Sequence, residues 1–186
     1  IIMFGPPGAG QGTQSNFIVE KFNLFQISTG KILREEIKNK TETGKKISNL
    51  MSSGSLVEDK VVNKLIEDIV SDKKYINGFI FDGYPRNLDQ ANNLNTLLKK
   101  YNQKIDIVLK LSVSLEVVKK RIFERQTIEN RPDDNENVAI KRYKTYEKST
   151  EPVIEYYKKL NLLKVIEGER SIDQINKEIS DIIAII

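Results

Sequence analysis

The sequence contains no cysteine, no histidine and no tryptophan. Without cysteine there is no disulfide framework and no thiolate site for zinc. Without histidine the commonest general base, the commonest metal ligand and every triad built on a histidine are gone. No apolar run approaches the ~20 residues of a membrane-spanning helix, and no secretory leader is visible. A cytoplasmic protein without membrane attachment is the expectation, with residues upstream of the strand-like opening IIMFG left open. What is present is ordinary for a soluble domain: 186 residues, 39% hydrophobic and 30% charged, enough for one sizeable core. The formal charge of +4 is mild. Such an excess suits nucleic acid or a site that gathers small anions, and the spread of the basic residues along the chain weakens the nucleic-acid reading.

Short apolar runs alternate with longer helical patterns. The runs at 1–4, 24–27, 78–81, 105–111 and 162–166 read as strands, being brief and rich in Ile, Val and Phe. Helices are expected near 12–22, 30–39, 43–53, 58–72, 88–101, 114–127, 136–160 and 171–185, the last with Ser171 as its N-cap. This rhythm predicts an α/β domain with a five-stranded parallel sheet covered on both faces. Two segments interrupt it. Three helices follow one another between the second and third strands, and the polar stretch IENRPDDN (128–135) separates two long helical patterns.

The stretch GPPGAGQGTQ (5–14) follows the first strand and opens a helix. Strand, glycine-rich turn and helix N-terminus together make an anion site, because main-chain amides approach the ligand and the helix dipole favours negative charge. Gly5, Gly8, Gly10 and Gly12 fit that role, with Thr13 and Gln14 opening the helix. The phosphate-loop pattern G-x-x-x-x-G-K-[ST] requires lysine where Gln11 stands. The main-chain half of the site is therefore intact and its cationic half is not. Arg86 follows the strand GFIF and the turn DGYP, and the carboxyl end of a parallel strand is where such sheets bind ligands.

GPPGAGQGTQ resembles the loop of the adenylate kinases, in the nucleoside monophosphate kinase family. So do ISTGKILREE (27–36), GFIFDGYPRNLDQA (78–91), KRIFERQ (120–126), NRPDDN (130–135) and KRYKTYEKSTEPVIEYY (141–157), in the same order. The resemblance implies a P-loop three-layer fold with a core at 1–29, 59–127 and 136–186, a helical monophosphate-binding lobe at 30–58 and a short lid at 128–135. It implies transfer of a phosphoryl group from ATP to AMP with Mg2+, by a monomer, without nucleic acid or membrane. Such transfer relies on positioning and charge neutralisation, which suits a chain rich in arginine and devoid of histidine.

By the same resemblance Gly8, Ala9, Gly10, Gln11, Gly12 and Thr13 hold the ATP phosphates, and Arg86, Arg121, Arg125, Arg131, Arg142 and Gln11 are catalytic. Thr29, Arg34, Gly83, Arg86, Gln90, Arg131 and Arg142 bind AMP, and Asp82 supports the magnesium through water. Asp133 and Asp134 either hold the lid arginines or form a solvated acidic turn. Thr29 and Gln90 match the adenylate type, Gln90 because an amide offers the donor and acceptor that adenine's edge needs. Asn87 matches the uridylate and cytidylate kinases instead, and Lys31 stands where the family has aspartate. Three readings follow: an adenylate kinase slowed by Gln11, with a pyrimidine monophosphate kinase as its variant; a catalytically impaired nucleotide binder; and a P-loop protein acting on nucleic acid. The last lacks a surface of interleaved aromatic and basic residues.

Overall fold

A computed structural model describes residues 1–72, 77–129 and 134–185. Five strands, β1 (Ile2–Phe4), β2 (Phe25–Ser28), β3 (Phe79–Asp82), β4 (Val108–Ser112) and β5 (Leu163–Glu167), form one sheet in the order β2-β3-β1-β4-β5. Every pairing is parallel. Side chains alternate across the strands as the pleat requires. Ile2, Phe4, Phe79 and Phe81 enter one core, while Met3, Ile80, Leu109 and Leu111 enter the other. Both faces are thus buried, and the strands read as continuous apolar runs.

The helices divide between the faces. With Met3 and Ile80 pack α1 (Gln11–Phe22), α6 (Leu115–Glu129) and α9 (Ile172–Ile183), through residues such as Ile18, Ile122 and Ile179. The other face carries α2 (Thr29–Lys38), α3 (Glu42–Ser52), α4 (Asp59–Val70), α5 (Leu88–Lys100) and α8 (Glu151–Lys159), through Leu33, Ile47, Ile66, Leu94 and Tyr157. Helix α7 (Glu136–Ser149) runs beside α6 and continues into α8. Ser171 caps α9 in a reciprocal capping box with Gln174, as the sequence suggested.

The helix expected over 136–160 is two helices. Pro152 stands in the first turn of α8, where its missing N–H is harmless; inside a continuous helix its ring would clash with the carbonyl four residues back. Thr150 ends α7 and starts α8, is buried, and brings the junction against the ligand-facing side of the sheet. The chain leaves β1 toward β2 on one side and later builds β4 and β5 on the other. The carboxyl end of β1 is therefore a topological switch point, the place where open α/β sheets bind ligands.

Candidate active site

Two adjoining spaces open at that end of the sheet. A cleft of about 900 Å³ passes over the loop after β1 and the end of β3. A smaller cavity of about 120 Å³ lies between the end of β1, helix α2, the 54–57 segment and the α7–α8 junction. Gln11, Arg34, Arg86 and Arg142 line both, so the two spaces meet at a ring of cationic side chains and one amide.

The loop after β1 is shaped by its glycines. Gly8 and Gly10 have φ of 85° and 96°, the left-handed region that glycine alone enters freely. A Cβ on Gly8 would also lie 3.0 Å from Cγ1 of Ile122. Helix α1 starts at Gln11 with no side-chain cap and no acid in its first turn. Gly8, Ala9, Gly10, Gly12 and Thr13 line the cleft around this helix start, where uncapped amides make an anion cradle, while the Ala9 amide itself donates to the Pro6 carbonyl at 2.9 Å. Arg121 lines the same cleft and braces the cradle, donating to the carbonyls of Ala9 (3.1 Å) and Gly168 (2.9 Å). Gln11 lines the cleft, but its Nε2 donates to the carbonyl of Met3 at 3.1 Å, so this amide is tied back to its own strand.

The turn after β3 is held by side chains instead. Gly83 has φ of 75°, and a Cβ there would lie 2.9 Å from Thr29 Oγ1 and 3.0 Å from Arg86 Nη2. That space is used: Thr29 Oγ1 and Arg86 Nε both donate to the Gly83 carbonyl at 2.8 Å. The Arg86 carbonyl accepts from Thr150 Oγ1 at 3.2 Å, which binds the helix junction to the turn. Asp82 faces the cleft and accepts from Gln26 Nε2 at 3.3 Å. Burial raises its carboxyl above the usual carboxylate range, against the opposing pull of Ser28, Arg86, Arg34 and Gln26. Arg34 lies over Gly30, whose missing side chain leaves the guanidinium room at 3.3 Å.

Asp134 is buried and gathers the arginines of α6 and α7. Arg125 grips it with two nitrogens, Nε at 2.6 Å, and Arg142 Nη1 lies 3.9 Å away. Asp134 is therefore an arginine holder, one of the two roles the sequence left open for it. Arg131 and Asp133 lie outside the described residues, as does the middle of the lid.

Thr29, Arg34, Gly83, Arg86, Gln90 and Arg142 do meet around the smaller cavity. Gln90 is buried, however, and half of its amide is already engaged: Oε1 accepts from the Arg86 main chain at 2.7 Å and Nε2 donates to Asp59 at 2.7 Å. One N–H and one lone pair are left for a ligand. Asn87, which pointed toward a pyrimidine acceptor, caps α5 by accepting from Gln90 N (2.8 Å) and donates to both oxygens of Asp59. Its identity is explained by the helix it starts.

Sequence reasoning missed Asp59, Tyr146 and Arg170. Asp59 and Gln90 are 31 residues apart, and no local pattern joins them. The Tyr146 hydroxyl is buried in the wall of the smaller cavity without a partner among the described residues, and burial pushes its pKa well up. Arg170 lines the cleft and pairs with Glu178. Lys31 lines the cleft too, while among the described lining residues Asp82 is the sole acid. The excess of cations suits a ligand with several negative charges.

Comparison with known proteins gives a consistent picture. The family described as adenylate kinase matches residues 3–162. The adenylate kinase of Pelagibacter ubique is 42% identical, with all of this chain and 99% of that protein covered. Its alignment spans 211 positions against 186 residues here, so that relative carries segments this chain lacks. The adenylate kinase of Flavobacterium psychrophilum is 40% identical over 184 residues, covering 98% and 97% of the two chains. That of Petrotoga mobilis is 37% identical, covering 98% and 96%.

Proposed function

Because the chain belongs to the adenylate kinase family, it transfers a phosphoryl group reversibly from ATP to AMP to give two ADP, and we propose that the cleft and the cavity divide that reaction between them. ATP lies in the larger cleft with its phosphates on the amides of Gly8 to Thr13. AMP lies in the smaller cavity with its phosphate toward Arg34 and Arg86. The observation that carries this division is the shared wall: Gln11, Arg34, Arg86 and Arg142 face both spaces, so a group passing from one to the other meets the same cations throughout. No protein acid or base is required, because the transferred group carries its own charge and the site's work is positioning and neutralisation.

Asp134 positions Arg125 and Arg142, and both arginines line the cleft. A guanidinium braced this way loses little freedom when it meets a phosphate, and its fork matches the oxygens. Arg121 is less direct. In this structure both its donating nitrogens serve the main chain of the loop and of the β5–α9 turn, so it holds the cradle in shape.

The donor set fits a magnesium ion that arrives with its nucleotide. Among the described residues no group of three potential ligands exists, and Asp82 is a lone, half-buried carboxylate at the cleft. A hard cation carried by phosphates and water needs only such a contact. Bound there, the ion would neutralise charge on the phosphates, with Asp82 holding it through water.

None of the matches supports a slowed enzyme; that part of the sequence reading rests on Gln11 alone. Its amide is neutral and is tied to Met3, so it gives less to the developing charge than an ammonium would. The protein is also taken to be a cytoplasmic monomer, for which sedimentation velocity checks the state of assembly; no helix of the described residues is long and apolar enough to cross a membrane. The division of the two spaces is tested by ADP formation from ATP and each monophosphate. AMP should saturate in a way that depends on Arg34 and Arg86, and ATP in a way that does not. Equal dependence of both substrates on those arginines would overturn the division.

A further inference from the structure

Helix α4 presents a polar stripe to α5 and to the turn that precedes it. Asp59, Asn63 and Glu67 are spaced by four, so they lie one above another on one face. Asn63 Oδ1 accepts from the Tyr84 hydroxyl at 2.7 Å, and Glu67 accepts from Lys100 at 3.3 Å. The first of these contacts ties α4 to the turn after β3, and the second ties it to α5. Asp59 differs in what it touches. Asp59 Oδ1 accepts from Gln90 Nε2 at 2.7 Å, and Gln90 lines the cavity assigned above to the acceptor nucleotide.

The two partners of Gln90 leave its amide one orientation. A main-chain N–H only donates, so the atom facing Arg86 N must be oxygen. An ionised carboxylate only accepts, so the atom facing Asp59 must be nitrogen. Turning the amide over would set nitrogen against N–H and oxygen against carboxylate. Asn87 fixes the carboxylate in turn, donating to its two oxygens at 3.0 and 2.9 Å while capping α5.

We propose that Asp59 is a specificity-positioning residue: by securing, together with the Arg86 main-chain N–H, one orientation of the Gln90 amide it makes the acceptor cavity select amino bases over oxo bases. The inference rests on the acceptor reading of the cavity. Adenine offers an exocyclic N–H beside an unprotonated ring nitrogen. The remaining lone pair and N–H of a fixed Gln90 amide complement that order. Hypoxanthine offers a carbonyl beside a ring N–H, the mirror order, which only the overturned amide would satisfy. The Arg86 N–H favours this orientation from one end of the amide and Asp59 secures it from the other, so without Asp59 a turned amide is opposed by one contact instead of two.

The test compares kcat/KM for AMP and for IMP, with ATP as donor, in the wild type, Asp59→Ala and Asp59→Asn, together with each thermal midpoint. Asp59→Ala should lower the AMP-to-IMP ratio about tenfold, the lower end of what a charged hydrogen bond is worth. The loss should appear mainly in the KM for AMP, with kcat at saturating AMP changed about twofold. Asp59→Asn keeps an acceptor oxygen and should restore most of the ratio. Should Asp59→Ala be too unstable to assay, Asp59→Ser preserves a good helix start, cannot reach Gln90, and should give the same loss. An unchanged ratio in the Ala or Ser variant would overturn the proposal. So would equal losses in Ala and Asn that follow the thermal midpoint, since a role in the fold alone lowers both monophosphates together. A wild type that does not prefer AMP to IMP, with Arg86→Ala leaving the AMP response untouched, would instead overturn the acceptor reading itself.

Discussion

The loop after β1 and the turn after β3 face one cleft from neighbouring strands, yet they are built on opposite terms. The loop presents main chain: glycines at positive φ, a helix start without a side-chain cap, and a cradle braced by Arg121. The turn presents side chains, and nearly all are claimed by specific partners: Thr29 and Arg86 on Gly83, Thr150 on Arg86, Gln90 on Arg86 and Asp59. An amide cradle takes any phosphate and tolerates changes in side chains. A network of locked side chains chooses its ligand, and is sensitive to each member. The donor side should therefore be robust and the acceptor side exacting, with Gln11 as the exception on the robust side.

Gln11→Lys should produce the largest change. In the proposed division the main-chain cradle holds the ATP phosphates without help from residue 11, so ATP affinity should shift little. Turnover should rise about 100- to 1,000-fold, the usual worth of one donor that strengthens in the transition state. Steady-state kcat for ADP formation, beside equilibrium ATP binding, separates the two effects. A lysine variant no faster than the natural chain would show that the arginines suffice, or that Lys31 in the same cleft limits the reaction.

Arg86→Ala tests the exacting side. Loss of a charged contact costs about 1.5 to 3 kcal/mol, or roughly 10- to 150-fold. It should raise the KM for AMP and lower turnover, with ATP binding nearly unchanged. A weakened ATP response of the same size would erase the contrast between the two sides.

The contrast was only half legible in the sequence. All five strands and the phosphate loop are local signals: apolar runs bounded by turn residues, and glycines where the chain must curl. Even there the runs misplace the ends, since 105–111 reads as strand while β4 begins at Val108 and continues to Ser112. Arg86 was found because it stands just past a strand. Asp59 was not, because its meaning arises from α4 packing on α5, far along the chain. Asn87 was read as a base-selecting residue, although an asparagine three residues before a glutamine at a helix start is also a cap signal. Pro152 was visible, and its first-turn preference marks the break at Thr150.

Asp82→Asn should separate stability from activity. The fold raises the Asp82 carboxyl above its usual value, with burial as the largest cause. Its ionised form therefore weakens the fold fully at pH above the raised pKa, and that cost fades as pH falls from the raised value toward the ordinary 3.8, below which it is gone. The asparagine variant should have a higher thermal midpoint at pH 7, and the difference should shrink as the pH is lowered. Activity with magnesium should fall about 10- to 100-fold, the range for lost outer-sphere support. A lower midpoint at pH 7 would mean that the contacts with Arg34, Arg86, Ser28 and Gln26 outweigh burial.

Tyr146→Phe should give the smallest effect, and it probes the unclaimed polar group on the exacting side. The Tyr146 hydroxyl lies buried in the cavity wall with no partner among the described residues. An unsatisfied buried hydroxyl costs about 1 to 3 kcal/mol, so its removal should leave the ligand-free protein as stable as before or more so, by about 1 kcal/mol. If the hydroxyl is held for the acceptor, the same change removes one neutral hydrogen bond and raises the KM for AMP about two- to tenfold. Burial keeps the phenol protonated well above its usual range, so the effect should be constant from pH 6 to about pH 9. A raised midpoint with a raised KM identifies a polar group kept unpaired for its ligand. A raised midpoint with an unchanged KM assigns the cost to packing around α7 alone, and a lowered midpoint would show that the hydroxyl has a partner in the ligand-free protein.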